Sequence, residues 1–313
     1  MKNKKIRKRF SKDDAELTLL ALPTLVWYII FSYLPMIGII IAFKDFQIIP
    51  NLNFFESLLK SDWVGFLNFE FLFKTPDLPI IVRNTLVYNV IFIILGIIIP
   101  VFFAVSLSQI NNQKLAKICQ TSMFLPNFLS WVVVSYFVFA FLSYDKGIVN
   151  QLLSMMGLHS IQWYQNERYW PFILIFMNMW KTTGYNTVIY LAAITAIDST
   201  YYEAALIDGA SKWQQIKNIT IPFIKPVLII LFILSVGHIF NSDFGLFYQV
   251  PKNSGSLYNA TETIDTYIFK AIEGTGSIAM SSAAAFFQSV IGFGTVVAAN
   301  AIVKKIDRDN SLF

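Results

Sequence analysis

Long apolar runs separated by short polar segments dominate the chain. Several runs approach or exceed the roughly 20 residues that a helix needs to cross a bilayer. A bilayer offers no water to unpaired backbone amides, so helices are favoured there over open sheets. The runs also lack the short alternating segments of a membrane β-barrel. We therefore predict an all-α, polytopic membrane protein with six transmembrane helices, over residues 17–43, 82–109, 118–142, 170–197, 227–250 and 280–303.

Composition supports a membrane protein over a large soluble protein with an oversized core. The 313 residues are 56% hydrophobic and 14% charged, whereas a soluble domain is about one quarter charged. The 30 Phe, 14 Tyr and 7 Trp residues suit a surface that faces lipid and headgroups.

The distribution of basic residues predicts the orientation. Seven of the 24 Lys and Arg residues lie in the first twelve positions, and fifteen lie in segments that six spans place on the side of the N-terminus. Since such residues concentrate on the cytoplasmic side, both termini are predicted to be cytoplasmic. The predicted organisation is a basic N-terminal segment (1–16), a membrane domain (17–303, core about 82–303) and a C-terminal tail (304–313). The basic residues do not form a binding face, so no nucleic-acid partner is expected.

Three positions inside the predicted spans can bend or pack a helix. Pro100 lies in the second span, Pro126 in the third and Gly184 in the fourth. Proline removes a backbone hydrogen bond and bends a helix, but Gly and Pro are also common in membrane helices. The sequence leaves open whether these positions are hinges or packing contacts.

The chemistry-bearing motifs of most enzymes are missing from the sequence. Cys119 is the single cysteine and there are two His residues, so neither a metal site nor a cofactor is expected in this chain. No G-x-x-x-x-G-K-[ST] sequence occurs, so no phosphate-binding loop of that type is expected either. If ATP drives this protein, another subunit binds it.

A polar stretch over residues 199–226 separates the fourth and fifth predicted spans. Thr200 and Glu203 have capping-box spacing, with Ser199 and Asp198 as alternative caps, which predicts a helix start. Helical spacing would place Ala205 and Gly209 on one face, with Leu206 and Ala210 on the adjoining row, giving a narrow stripe of small and apolar residues for close packing. We expect Pro222 and Pro226 to end this helix. An interfacial helix is the alternative, but the stretch lacks a strongly basic face.

The stretch "EAALIDGASKWQQIKNITIP" resembles the EAA loop of permease subunits of ATP-binding-cassette (ABC) importers, with Ile221 where Leu is common. Three further segments, "YLPMIGIIIAFKDF", "FLPNFLSWVVV" and "IDTYIFKA", resemble carbohydrate-uptake permeases, above all the oligosaccharide and polysaccharide branch. The resemblance implies a type I ABC importer permease fold and a loop that fits into a cleft on a cytosolic ATPase. The coupling residues it implies are Glu203, Ala204, Ala205, Asp208, Gly209, Ala210, Ile219 and Pro222.

The same resemblance implies a set of partners. They are a second homologous permease subunit, a cytosolic ABC ATPase dimer that holds Mg-ATP, an extracytoplasmic substrate-binding lipoprotein, membrane lipid and a carbohydrate substrate. The implied location is the plasma membrane of a bacterium. On this interpretation the chain is a transport subunit and not an enzyme.

Two spans carry dense polar side chains that predict a substrate path. "NMWKTTGYNT" lies in the fourth span and "GHIFNSDFGLFYQ" at the end of the fifth. Sugar hydroxyls need amide and carboxylate partners, and aromatic rings stack on the C–H faces of sugars. Polar groups in spans also serve as contacts between helices, and that alternative stays open for each residue. The family pattern nominates Asn178, Lys181 and Tyr185, with Asn241 and Asp243 as further candidates.

Three functions other than carbohydrate import are alternatives. A membrane-embedded enzyme would use Asp243, His238 and Lys181 as acid–base groups, but it leaves the 199–226 stretch unexplained. A proton-driven transporter would favour internal repeats and buried carboxylates, of which Asp243 is the one found. A permease of the same family for another small solute is the remaining alternative.

Overall fold

The computed structural model describes residues 12–275 and 277–306 of the chain. Those residues form α-helices linked by π and 3-10 turns, and the β-type pairing described among them is one isolated bridge between Lys44 and Trp63. The predicted all-α class is confirmed for this part of the chain. Most of the basic segment 1–16 and of the tail 304–313 lies outside the described residues.

The helices divide between two compact units. One combines residues up to Phe73 with Thr275–Phe286, and the other combines Lys74–Gly274 with residues from Phe287 onward. The helix bounds in chain order are α1 Lys12–Tyr28, α2 Phe54–Lys60, α3 Leu67–Lys74, α4 Leu78–Ser108, α5 Gln113–Phe124, α6 Trp131–Leu142, α7 Ile148–Met155, α8 Trp170–Thr195, α9 Ser199–Ile207, α10 Lys212–Gln215, α11 Ile221–Gly237, α12 Tyr258–Thr261, α13 Ile264–Thr275 and α14 Ile278–Ile306.

The first unit is built around the end of the first apolar run. α1 continues through a π turn, Ile29–Tyr33, into a 3-10 segment, Leu34–Phe43. Lys44 Nζ then donates to the Leu58 carbonyl at 2.7 Å, and Asn68 donates to the carbonyls of Ala42 and Lys44. These hydrogen bonds fix the backbone at the point where the first apolar run ends and the 3-10 segment Leu34–Phe43 gives way to extended chain.

The second unit is organised by α4 and α8, which form the most extensive helix pair in the described chain. Two apolar clusters lie along this pair. The first contains Tyr88, Trp170, Leu174 and Phe247, and the second contains Ala104, Tyr190, Ile194 and Ile224. Gly184 lets α8 approach α5 closely, because a Cβ atom there would lie 1.8 Å from the Met123 carbonyl oxygen. Gly184 is therefore a packing contact within a continuous helix, and Pro100 likewise lies within an unbroken α4.

Within the described residues, four helical stretches are long and apolar enough to cross a membrane: Glu16–Phe43, Leu78–Ser108, Lys212–Gly237 and Ile278–Lys305. A fifth results if the bent pair Gln113–Phe128 and Trp131–Leu142 is one span. The predicted fourth span is present as the 26-residue α8, but its polar centre keeps it out of this set. The described residues thus support four or five spans by length and composition, against the six predicted.

The predicted third span, residues 118–142, is not one continuous helix, and of the two options left open for Pro126 the structure has the bend. α5 passes into a 3-10 segment, Leu125–Phe128, and α6 begins after a bend of 99°. Pro126 lies in the first turn of that segment, and the Ser130 hydroxyl caps α6 by accepting from the Val133 amide at 3.3 Å. A proline followed by a cap ends one helix and starts another.

The fifth span was also predicted wrongly, at both ends. Helix continues from Lys212 to Gly237, so Pro222 and Pro226 do not end it. A π turn at Ile216–Thr220 directly precedes α11, and Pro222 falls in the first turn after it, where a missing amide is tolerated. The helix stops at Gly237 rather than near Val250, and most of residues 238–244 are irregular.

Candidate coupling surface and polar cavity

The polar stretch forms a helix, a tight turn and a second helix. Asp198 caps α9, its carboxylate accepting from the Thr200 amide at 2.9 Å, so the cap is the alternative Asp198 and not Thr200. This backbone hydrogen bond, followed by one from the Thr200 side chain, lowers the pKa of Asp198. A capping box of Ser211 and Gln214 starts α10.

Gly209 ends α9, which corrects its predicted place in the middle of a helix. Its φ of +76° lies in the left-handed region that favours glycine. The Ala210 amide donates to the Ala205 carbonyl at 2.8 Å and the Gly209 amide to Leu206 at 3.1 Å, which is the Schellman arrangement. The stripe of small residues therefore does not continue through Gly209, and this glycine is needed for the turn.

The tip of this hairpin exposes large apolar side chains. Leu206 is 67% exposed, Ile207 86% and Trp213 71%. We call these three residues the coupling surface. The sequence interpretation included Leu206 beside the stripe but missed Ile207 and Trp213, because it extended one helix through Gly209. Exposed apolar side chains of this size are candidates for contact with a partner protein or with lipid.

The base of the hairpin is anchored to the long helix that follows. The Tyr202 hydroxyl and Thr220 Oγ1 lie 3.0 Å apart, and the rings of Tyr201 and Phe223 pack with centroids 4.9 Å apart. These contacts tie the hairpin to the helical stretch Lys212–Gly237. Of the predicted coupling residues, Glu203, Ala204, Asp208, Gly209 and Pro222 are exposed, and Ala205, Ala210 and Ile219 are half-buried.

A polar cavity of about 320 Å³ lies between α4, α8 and the end of α11. Its hydrogen-bonding side chains are Asn89, Asn178, Thr182, Asn186, Tyr190, Ser235, His238 and Asn241. Asn178, Thr182 and Asn186 recur every four residues and so share one face of α8. Among the described residues that line this cavity, none is Asp, Glu, Lys or Arg. A larger groove of about 630 Å³ is lined by apolar and aromatic side chains and offers hydroxyls little to bind.

The irregular segment 238–244 forms one wall of this cavity, and amide side chains satisfy its backbone. Asn89 Nδ2 lies 2.9 Å from the Ile239 carbonyl oxygen and 3.0 Å from that of Asn241. Gln288 donates to the Phe240 carbonyl at 2.8 Å. Irregular backbone is tolerated in a membrane where it is buried in protein or lines a cavity. The sequence interpretation missed Asn89, whose signal was a single amide inside an apolar run.

The five predicted path residues do not all come together. Asn178 and Asn241 line the polar cavity. Lys181 Nζ instead donates to the carbonyls of Asn127 and Leu129, at 3.0 and 2.5 Å, in the break before α6. Tyr185 is half exposed and stacks with Phe124 at 6.1 Å between ring centroids.

Trp131 connects Lys181 with Asp243, the fifth predicted residue. Lys181 Nζ lies 5.3 Å from the Trp131 ring centroid, and the indole N–H donates to Asp243 Oδ2 at 2.6 Å. The ion pairs found among the described residues do not include Lys181 with Asp243. Both charged groups therefore contact the break before α6 rather than neutralising each other.

Comparison with known proteins identifies one family. Residues 93–308 match the family described as binding-protein-dependent transport system inner membrane component. The chain is 35% identical over 298 residues to the polygalacturonan/rhamnogalacturonan transport system permease protein YteP of Bacillus subtilis (strain 168), covering 94% of this chain and 89% of that protein. It is 33% identical over 298 residues to Protein LplB of the same organism, covering 95% and 91%.

A solved structure agrees with the sequence relatives. The fold is similar, with a TM-score of 0.82 and 31% identity, to a chain in the crystal structure of a bacterial alginate ABC transporter in complex with an alginate pentasaccharide-bound periplasmic protein. The match covers 97% of this chain and 98% of that one. The likeness therefore extends over nearly the whole length of both chains.

Proposed function

The chain belongs to the binding-protein-dependent transport system inner membrane components, and from this membership we propose that it is one permease subunit of an ATP-driven importer of a carbohydrate, an oligosaccharide. The relatives named above for plant polysaccharides and alginate support this substrate class. ATP hydrolysis takes place on separate cytosolic subunits, and an extracytoplasmic binding protein delivers the substrate. The protein spans the plasma membrane of a bacterium six times, with both termini in the cytoplasm.

The coupling surface is the observation that supports the partnership with an ATPase most directly. Leu206, Ile207 and Trp213 are exposed on the two sides of a tight turn, and the hairpin behind them is anchored to a helix of membrane-spanning length. Burying these side chains in a cleft of the ATPase would couple closure of that cleft to movement of Lys212–Gly237. The predicted coupling residues Glu203–Ala205 and Asp208–Ala210 lie in this hairpin, next to the coupling surface.

The proposed substrate path includes the polar cavity. Asn178 and Asn241 offer amide groups to hydroxyls there, while Lys181 and Asp243 hold the adjoining break in position. Tyr185 is half exposed and offers its ring and hydroxyl to the substrate at a position where a second, homologous permease would form the opposite wall of the path. A pair of related permeases fits a transport path between two similar halves.

The coupling role is tested by Ile207→Asp, with Met155→Asp as the matched control. Both side chains are more than 80% exposed, so neither change should unfold the chain. A charge placed in the buried contact should weaken co-purification of the ATPase by roughly tenfold or more, and the control should leave it unchanged. Normal retention of the ATPase by Ile207→Asp, together with normal substrate-stimulated ATP hydrolysis, would contradict the proposal.

The substrate class is tested separately. The assembled importer is heated with members of an oligosaccharide panel, and a rise in its melting temperature reports binding. The Asn178→Leu variant should lose part of the rise seen with the preferred glycan. An importer that no glycan stabilises, but that another small solute does, would refute the carbohydrate assignment and leave the coupling role standing.

A further inference from the structure

A second polar site lies at the end of α4 and α8 away from the coupling surface. A cavity of about 340 Å³ opens between the first turns of these helices and α12. Arg83 and Arg168 lie at its mouth, and Val87, Ile91 and Ile175 line its walls. Since Arg83, Val87 and Ile91 recur every four residues, the lining extends about 12 Å along α4. We call this cavity the arginine groove.

The mouth of the arginine groove is held by hydrogen bonds between α4 and the segment around α12. Arg83 Nη2 donates to the Asn259 carbonyl at 2.8 Å, and Asn84 donates to the same carbonyl and to that of Glu262. Beneath them the Tyr88 hydroxyl donates to the Ala260 carbonyl at 2.7 Å. The guanidinium of Arg83 is therefore preorganised by its surroundings.

Among the described residues, the lining of the arginine groove carries more positive than negative charge. Glu167 is the acidic residue of the lining, and its Oε1 accepts from Asn259 Nδ2 at 3.1 Å. Across the part of the chain that the structure describes, neither arginine takes part in an ion pair. Two guanidinium groups against one carboxylate leave the mouth with a net charge of +1.

We propose that the arginine groove binds one anionic phospholipid, with its phosphate at Arg83 and Arg168 and an acyl chain along Val87, Ile91 and Ile175. The shape combines a cationic mouth with apolar walls that run along a membrane helix, which matches an amphiphile with a negative headgroup. A soluble anion would leave the apolar walls exposed, and a neutral lipid would leave the net charge unbalanced. In the proposed orientation the headgroup lies in the extracytoplasmic leaflet.

The test uses the full-length chain, purified in detergent and exposed to equal amounts of phosphatidylglycerol and phosphatidylcholine. Retained lipid is counted by native mass spectrometry, and melting temperature is recorded with each lipid. Wild type should retain phosphatidylglycerol preferentially. Arg168→Gln should lower that preference roughly five-fold, and adding Arg83→Gln should lower it again by a similar factor. The double variant Lys60→Gln, Lys146→Gln removes two exposed charges elsewhere and should keep the wild-type preference.

A second variant separates a lipid from a soluble anion. Val87→Trp fills the groove but keeps both arginines, and Val87 is half exposed, so the helix should tolerate it. Loss of retained phosphatidylglycerol in this variant supports the proposal. An unchanged lipid preference in the arginine variants would overturn it. Equal stabilisation of wild type and Val87→Trp by soluble glycerol phosphate would also overturn it, in favour of a simple anion site.

Discussion

Replacing Gly209 tests whether the hairpin depends on backbone conformation or on the small size of this residue. The two explanations predict different tolerance for Asn and for Ala at this position. If φ of +76° is what matters, Asn should be tolerated better than Ala, because Asn adopts the left-handed region more readily. If close packing against a partner matters, Ala should be tolerated better than the larger Asn.

The structure favours the conformational explanation, in which Asn is tolerated better than Ala, and it allows the free-energy cost of each substitution to be estimated. A Cβ atom at Gly209 would have no neighbour within 4 Å, so the cost within the chain is conformational. A left-handed Ala costs about 1–2 kcal/mol, which corresponds to roughly five- to thirty-fold in an equilibrium constant. A β-branched Val is a more severe outlier in this region and should cost more.

The assay is the affinity of the ATPase for the solubilised chain, measured for wild type and for Gly209→Asn, Gly209→Ala and Gly209→Val. We expect affinity to fall in that order. Limited proteolysis at the hairpin should follow the same order without ATPase, because the strain is internal. An affinity order with Ala above Asn, with unchanged proteolysis, would refute the conformational explanation and point to a size-limited contact.

Three further predictions concern the rest of the site. Asn89→Leu leaves the Ile239 and Asn241 carbonyls without their amide donor, so the chain should lose about 0.5–1.5 kcal/mol for each hydrogen bond, read as a lower melting temperature. Gly184→Ala should prevent α5 from packing on α8 and block folding, while Gly294→Ala, with open space around it, should be neutral. The ionised Asp198 cap should protect the amides of α9 from hydrogen exchange above the ordinary carboxyl pKa of 3.8, and this protection should be lost as the pH falls below that value. Hydrogen exchange of α9 measures this loss. Asp198→Ser should remove the pH dependence.

The sequence predicts well those elements whose signal is local. Three spans agree with the structure to within a few residues, because hydrophobic length alone determines them: Glu16–Phe43, Leu78–Ser108 and Ile278–Lys305. The polar hairpin was also placed correctly between α8 and the next long helix. Its cap differs from the predicted one by two residues, since Asp198, Ser199 and Thr200 are all capable caps.

Irregular backbone inside apolar runs is what the sequence could not locate. Asn89 and Gln288 lie far along the chain from the 238–244 segment that they stabilise. Lys181 likewise donates to carbonyls more than 50 positions away. Apolar runs look the same whether their helix is continuous or broken, because the compensating donors come from other helices.

The coupling surface shows a different limit of sequence reasoning. Helical periodicity was extended through Gly209, although glycine also ends helices. Once the turn is placed there, Ile207 and Trp213 fall on either side of it and are both exposed. Tertiary contacts at Tyr202 and Thr220 hold this geometry, and the two residues are too far apart in sequence for a local pattern to pair them.

The account depends most on the coupling surface facing the cytoplasm. An Ile207→Cys chain in a Cys119→Ser background allows this to be measured with a membrane-impermeant maleimide. We predict labelling in inside-out vesicles, protection by bound ATPase, and no labelling in sealed right-side-out vesicles. Labelling of Ile207→Cys from the outside of intact cells would contradict the account.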